Sequence, residues 1–148
     1  MDVLIVRDMR ESPKKCSLRG LHDTPGVRFA RYDPDRRVDV GRRILLHTDG
    51  EELRASDAGP GLLLLDCAWR RVDLLLSTVD GDLELRRLPP LVTAYPRRSR
   101  IVEDPEAGLA SLEALYAALA ILGEPRPDLL DGYRWRDEFL AANPGLPR

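Results

Sequence analysis

The sequence predicts an α/β fold, a mostly parallel N-terminal sheet followed by a helical C-terminal lobe. Three observations carry that expectation. Residues 62–65 are four consecutive leucines between Gly61 and Asp66. A strand with no polar alternation is buried on both faces, as in a parallel sheet covered by helices. Residues 3–6 form a second short apolar run bounded by charges, which reads as another buried strand. After Leu88 the composition changes. Pro89 and Pro90 interrupt the chain, and residues 107–122 are apolar nearly all the way round, the mark of a buried helix.

The elements follow in order. Residues 12–17, Ser12-Pro13-Lys14-Lys15-Cys16-Ser17, read as a loop, with a short helix towards His22. Residues 27–32 set Val27 and Phe29 against Arg28 and Arg31, the alternation of a strand. Asp33-Pro34-Asp35 is a turn. Residues 44–47 predict a strand that stops at Thr48-Asp49-Gly50, and residues 51–58 one or two helical turns. The clearest strand covers residues 61–67. Residues 69–76 predict a helix or a broken turn. Residues 88–94 carry two prolines and are irregular or an edge. Asp104-Pro105 starts the buried helix, with proline at its first position. Gly123 ends it, and Pro125 and Pro127 prevent continuation. A last helix covers residues 133–142 and stops at Asn143-Pro144-Gly145. The expected division is an α/β lobe over residues 1–87 and a helical lobe over residues 88–148.

The chain has 148 residues, one ordinary domain or two small lobes, enough to bury a core without covalent staples. Charged residues make up 32% and apolar residues 43%, which excludes a disordered chain. A net charge of −2 excludes a molecule that is basic all over. Lys14 and Lys15 are the only lysines, so the positive charge is nearly all arginine. Genomic base composition is a better account of that preference than phosphate binding, although arginine does suit phosphate geometry. Two cysteines and two histidines stand in no CxxC or HxxxH spacing, so no metal site is expected. Residues 3–6 are too few for a signal segment, and residues 112–122 contain Glu113 and are too short to span a bilayer. The expectation is a reduced, cytoplasmic protein that binds no membrane.

In open α/β sheets ligands sit at the carboxyl ends of strands. Asp66 stands at such an end, where an exposed carboxylate can meet an ammonium group or a ribose hydroxyl. Trp69, three residues on, can offer a flat wall or a π face to a cation. On the residues alone a plainer account stands beside this one: Asp66 caps the following segment, and Trp69 is core.

Asp66-Cys67-Ala68-Trp69 after a leucine-rich strand resembles the Leu-Asp-Cys-Ser-Trp element of the small-subunit rRNA aminocarboxypropyltransferases, a ribosome biogenesis family. Further pieces fall in the same order. Residues 12–17 resemble that family's Asp-Pro-Lys-x-Cys-Thr loop. Leu46-His47-Thr48-Asp49-Gly50 is similar to its Leu-Ser-Pro-x-Gly turn. Arg87-Leu88-Pro89-Pro90-Leu91-Val92-Thr93-Ala94 resembles Arg-x-Leu-Pro-x-Leu-Val-Ala-Ala. Trp135 with Phe139-Leu140-Ala141-Ala142-Asn143 matches the C-terminal Trp-Gly-x-x-Phe-Leu-x-x-Asn. Each motif is weak alone; their number and order carry the resemblance. Two places depart from it. Tyr95-Pro96-Arg97-Arg98-Ser99-Arg100 replaces the family's Asn-Pro-x-Asn-Tyr-Gly. Leu109-Ala110-Ser111-Leu112-Glu113-Ala114 is closer to the Leu-Ser-Thr-x-Glu-Ala of the related DTW-domain tRNA aminocarboxypropyltransferases.

The resemblance implies a SPOUT-like fold with a knotted C-terminal lobe. It implies S-adenosylmethionine as co-substrate and no metal. The 3-amino-3-carboxypropyl group would pass to a ring nitrogen of a uridine-type base, releasing methylthioadenosine. Asp66 would face the donor's ammonium and is the candidate base. Trp69 would pack against the methyl-sulfonium end, and the Ser17 hydroxyl would bond the ribose. Leu88 would offer backbone groups to the adenine, Leu46 and Leu109 would wall its ring, and Leu65 belongs to the same donor-binding set. Ser111 lies near the start of the buried helix, where N–H groups favour the donor's carboxylate. Glu113 is left outside the catalytic set, because a glutamate in a first helical turn is favoured by the dipole alone. Lys14, Lys15, Arg70, Arg71, Arg97, Arg98 and Arg100 would flank the donor mouth and grip RNA phosphates.

The expected partner is RNA, small-subunit rRNA or a pre-ribosomal particle. Two alternatives come from the same resemblance: a tRNA aminocarboxypropyltransferase, or a non-catalytic RNA-binding module in ribosome assembly. A methyltransferase of the usual Rossmann type would need a glycine-rich loop after the first strand, and there is none.

Overall fold

The computed structural model describes residues 1–8, 18–95 and 109–148. Among the described residues five strands form one sheet: β1 Val3–Arg7, β2 Val27–Arg31, β3 Val38–Glu52, β4 Gly61–Asp66 and β5 Val79–Arg87. Every neighbouring pair is parallel, in the order β2-β1-β4-β3-β5. The α-helices are α1 Val72–Leu76, α2 Ser111–Ile121 and α3 Arg136–Ala142. The parallel sheet explains why the leucine run lacks alternation, since side chains on both of its faces are covered.

Strand periodicity sorts β1 and β4 onto those two faces. Val3, Ile5, Leu62 and Leu64 pack with Leu112, Leu115, Tyr116 and Leu119 of α2 and Phe139 of α3. Leu4, Val6 and Leu63 pack on the opposite side with Tyr32, Val40, Leu45 and Leu75 of α1. Leu115 and Phe139 are wholly buried, and truncating either to alanine would cost about 2–5 kcal/mol.

The connections leave the central strands in opposite senses. From β1 the chain goes to β2, and Leu18 and Leu21 of that connection pack on the α2 face. From β4 it goes the other way, past β3 to β5, and Leu75 packs on the opposite face. Neighbouring strands whose connections diverge like this leave a crevice at their carboxyl ends. In this sheet those strands are β1 and β4.

Several expectations change in detail. β3 runs well beyond residues 44–47, and Thr48-Asp49-Gly50 does not end it. Leu46 and Glu51 both pair with Arg86, so residues 47–50 bulge out between them. Gly50 is required there, because a Cβ would lie 2.4 Å from the backbone of Leu85. The helical turns expected over residues 51–58 shrink to a 3-10 turn at Ala55–Asp57. β5 went unpredicted, although Leu83 and Leu85 alternate with Asp82, Glu84 and Arg86 as a strand should. The broken helical segment after β4 is a 3-10 turn, Trp69–Arg71, running into α1.

The start expected at Asp104-Pro105 lies outside the described residues. Leu109 and Ala110 are not helical, and α2 begins at Ser111 rather than at residue 107. Ala110 has no side-chain acceptor, so only the glutamate half of a capping box exists: Glu113 accepts the Ala110 N–H at 2.9 Å. At the other end Gly123 takes φ +89. There the Glu124 N–H reaches the Leu119 carbonyl at 2.9 Å, closing a left-handed helix cap. The last helix starts at Arg136 instead of residue 133.

Residues 88–95 form an irregular strap, as Pro89 and Pro90 require. Side chains of α2 and α3 replace the missing ladder. Asn143 accepts from the Val92 N–H and donates to the Val92 carbonyl, both at 2.8 Å. Glu113, wholly buried, accepts from Thr93 Oγ1 at 2.5 Å and from the Ala94 N–H at 2.9 Å. The Tyr133 hydroxyl is buried and makes no hydrogen bond among the described residues. It stands near enough to Glu113 to feel the carboxylate, though not in hydrogen-bond geometry. Burial first, then the Glu113 charge, pushes its titration well above the ordinary tyrosine range.

Candidate functional site

Arg7 and Asp66 are register partners at the carboxyl ends of β1 and β4. Register partners share a face, and alternation places this pair on the α2 side, one step beyond Ile5 and Leu64. The crevice of the sheet therefore opens on an arginine and an aspartate. Ser111, the first residue of α2, donates from Oγ to Asp66 Oδ1 at 2.8 Å. Arg7 Nε lies 3.6 Å from Asp66 Oδ2. Sheet and helix start thus meet on one carboxylate.

One expectation is corrected here. Asp66 was expected to be exposed, yet it is only 5% accessible. Ser111, 45 residues away in the chain, donates to it. Trp69 is not core: it is 51% exposed, on the 3-10 turn that leaves β4. The site thus combines a held, nearly buried anion with an open indole three residues later.

That turn is fastened from the other face. Asp8, directly after β1 and 1% exposed, takes a two-pronged ion pair from Arg71 through Nε and Nη2. The Asp8 hydrogen bond holds the Arg71 guanidinium yet more firmly protonated. Arg71 was expected to grip phosphate; its guanidinium pairs with Asp8, which ties the turn bearing Trp69 to the end of β1. Arg70 beside it is exposed. Leu46, Leu88 and Leu109 all pack, partly buried, against the α2-face cluster. Leu65 does not join them, because its side chain packs in the opposite-face cluster. Ser17, Lys14, Lys15, Arg97, Arg98 and Arg100 lie outside the described residues.

Arg7 and Asp8 were missed from sequence. They look like the charged flank of an apolar run. The available signal was that both stand at the carboxyl end of a strand predicted to be central. Of the C-terminal motif, Phe139 is core and Asn143 holds the strap, while Trp135 packs edge-on between Tyr95 and Tyr133 at 5.2 and 5.8 Å. Among the described residues no helix is long and apolar enough to cross a membrane, and no group of His, Cys, Asp and Glu could hold a metal ion.

The chain is similar to known proteins along most of its length. A family model described as "Ribosome biogenesis protein, C-terminal" matches residues 40–146. A protein of Vulcanisaeta distributa named 16S rRNA aminocarboxypropyltransferase is 36% identical, over 95% of this chain and 77% of that protein. One of the same name from Methanosarcina acetivorans is 30% identical, over 88% of this chain and 74% of its own. Among solved structures, the SAM-dependent rRNA:acp-transferase Tsr3 from Vulcanisaeta distributa superposes with a TM-score of 0.73 at 28% identity, covering 97% of this chain and 79% of that one. With its parallel sheet, its crevice between β1 and β4, and these matches, the chain belongs to the ribosome biogenesis family that the C-terminal model describes.

Proposed function

We propose that this protein transfers the 3-amino-3-carboxypropyl group of S-adenosylmethionine to a uridine-type base nitrogen of small-subunit ribosomal RNA. The observation that carries the reading is Asp66: a carboxylate held at the β1–β4 crevice by Ser111, with an open tryptophan three residues on. The relatives named for this reaction set the reaction class.

Asp66 would take the donor's ammonium, and Trp69 would wall its methyl-sulfonium end. The methylene carbon beside sulfur is then left facing the acceptor. The base nitrogen forms a bond to that carbon as the carbon–sulfur bond breaks. The electron pair leaves with methylthioadenosine, and the nitrogen's proton passes to a base or to water. The sulfonium is already a good leaving group, so positioning and water exclusion supply most of the effect. Asp66 is a weak candidate for that base, because a carboxylate paired with an ammonium has little affinity for a proton. Leu46 and Leu109 would wall the adenine ring, Leu88 would offer it backbone groups, and Ser17 would bond the ribose. Exposed Arg70, with Lys14, Lys15, Arg97, Arg98 and Arg100, would meet phosphates.

The same reading takes the fold as SPOUT-like, with residues 88–148 as a knotted lobe that completes the donor site of residues 1–87. It places the protein in the cytoplasm, acting on rRNA or a pre-ribosomal particle. Calorimetric titration with S-adenosylmethionine tests it, with Asp66→Ala and Trp69→Ala alongside. Micromolar binding, weakened about tenfold or more in both folded variants, is expected, as is methylthioadenosine release with small-subunit rRNA. Absence of donor binding by the wild type would refute the enzyme reading in favour of an assembly module. Release of S-adenosylhomocysteine would make it a methyltransferase.

A further inference from the structure

Arg7 is under-used by its own fold. Its Nη2 is buried and has no hydrogen-bond partner among the described residues. Its Nε stands 3.6 Å from Asp66 Oδ2, too far for a hydrogen bond. A buried guanidinium donor without an acceptor is costly, and such groups are rarely left so without a purpose. This one lies where the crevice opens, beside a carboxylate whose other oxygen is already held by Ser111.

Neighbouring strands stand about 4.8 Å apart, so a fixed cation and a fixed anion sit side by side at Arg7 and Asp66. The complement of that pair is a cation and an anion equally close together, as on the α-carbon of an amino acid. A guanidinium presents a planar fork that suits a carboxylate and has no comparable fit to an ammonium. Ser111 brings the start of α2 to the same carboxylate, and a helix start favours negative charge.

We propose that Arg7 binds the α-carboxylate of the donor, so that Arg7 and Asp66 together select an intact amino-acid end. The proposal rests on the donor-site reading above and deepens it. A donor that keeps the ammonium but lacks the carboxylate satisfies Asp66 and leaves Arg7 unpaired. Such a donor would pass on an aminopropyl group instead of an aminocarboxypropyl group. Arg7 is thus the residue that decides which alkyl chain is transferred.

The test is to titrate the wild type, Arg7→Ala and Arg7→Lys with S-adenosylmethionine and with its decarboxylated analogue. The wild type is expected to prefer the intact donor by about 10-fold to 100-fold, the range for a charge-assisted hydrogen bond in a shielded site. Arg7→Ala is expected to lose about tenfold or more of that preference, chiefly through weaker binding of the intact donor, and Arg7→Lys to fall between. A merely structural Arg7 would weaken both donors together and leave their ratio unchanged; that result overturns the proposal. A wild type that binds the two donors within about threefold also overturns it, without need of any variant. Binding of neither donor would sink the donor-site reading itself, a distinguishable failure that takes this proposal with it.

Discussion

Replacing Glu113 removes the group on which the strap and the start of α2 both depend. Its Oε1 accepts from Thr93 Oγ1 and the Ala110 N–H, and its Oε2 accepts from the Ala94 N–H. Glu113→Ala leaves three donors without this acceptor at a position with no solvent access. Each such loss costs about 1–3 kcal/mol, but members of one network do not add, so about 3–5 kcal/mol in total is expected. Glu113→Gln keeps one acceptor oxygen, able to serve Thr93 and Ala110. Its amide then points a donor at the Ala94 N–H, and about 1–3 kcal/mol should be lost. Urea denaturation at neutral pH, followed by circular dichroism, reads both. The midpoint should fall in the order wild type, glutamine, alanine, with the slope unchanged. A Glu113→Ala midpoint equivalent to less than about 1 kcal/mol of destabilisation would refute the reasoning. It would show that the strap does not lean on this carboxylate.

Three further outcomes are expected. Asp8→Asn should cost about 1–3 kcal/mol in the same assay, the buried-pair value discounted because Arg71 keeps some contact with solvent; a neutral result would mean that the Trp69 turn is held by something else. Tyr133→Phe should be neutral or stabilising by up to about 1 kcal/mol at pH 7, since it deletes a buried hydroxyl that has no partner among the described residues. The Tyr133 titration is raised in the fold, so its contribution is complete below the unfolded value near ~10 and is lost as pH rises above it. The variant should therefore lose less stability than wild type above about pH 10, and equal alkaline slopes would contradict this. Gly50→Ala should cost about 1–3 kcal/mol, because the backbones of Leu85 and Arg86 that its Cβ would strike cannot rotate away; a midpoint unchanged from wild type would mean that the β3 bulge yields easily.

What the sequence made legible depends on how local each cause is. The leucine strand announced itself because covering both faces of a parallel sheet leaves no polar residue in the run. Gly123 ended α2 as expected, since a left-handed cap needs only its own residue type. The bulge of residues 47–50 was not legible, because it is set by the pairing of Leu46 and Glu51 with the same Arg86 on another strand. Asp66 could be placed at a strand end, but its surroundings could not be foreseen: the hydroxyl that donates to it comes from a helix 45 residues further on. Glu113 was kept apart from the catalytic candidates on dipole grounds, and its contact with the Ala110 N–H lies at that helix start. Its fuller task, carrying Thr93 and Ala94, is a contact between segments about 20 residues apart. The partner of Arg71 was not legible, because an arginine next to an exposed tryptophan gives no sign of an aspartate 63 residues upstream.

Arg7 and Asp8 point to opposite faces of the sheet, and this bears on how β1 finds its place. Residues 3–6 and 62–65 are apolar without interruption. If β1 slid by one residue against β4, each face would still receive hydrophobic side chains, so packing alone discriminates poorly between the two alignments. The charges do not tolerate the slip. Asp8 would be carried round to the side of Asp66, and Arg7 to the side of Arg71. In either direction of slip one attractive pair would be replaced by a repulsive one and the other pair broken, largely out of water, at a cost of several kcal/mol. A dipeptide of opposite charges at the end of a featureless strand thus works as an alignment mark, telling the chain which of two almost equally greasy arrangements is its own.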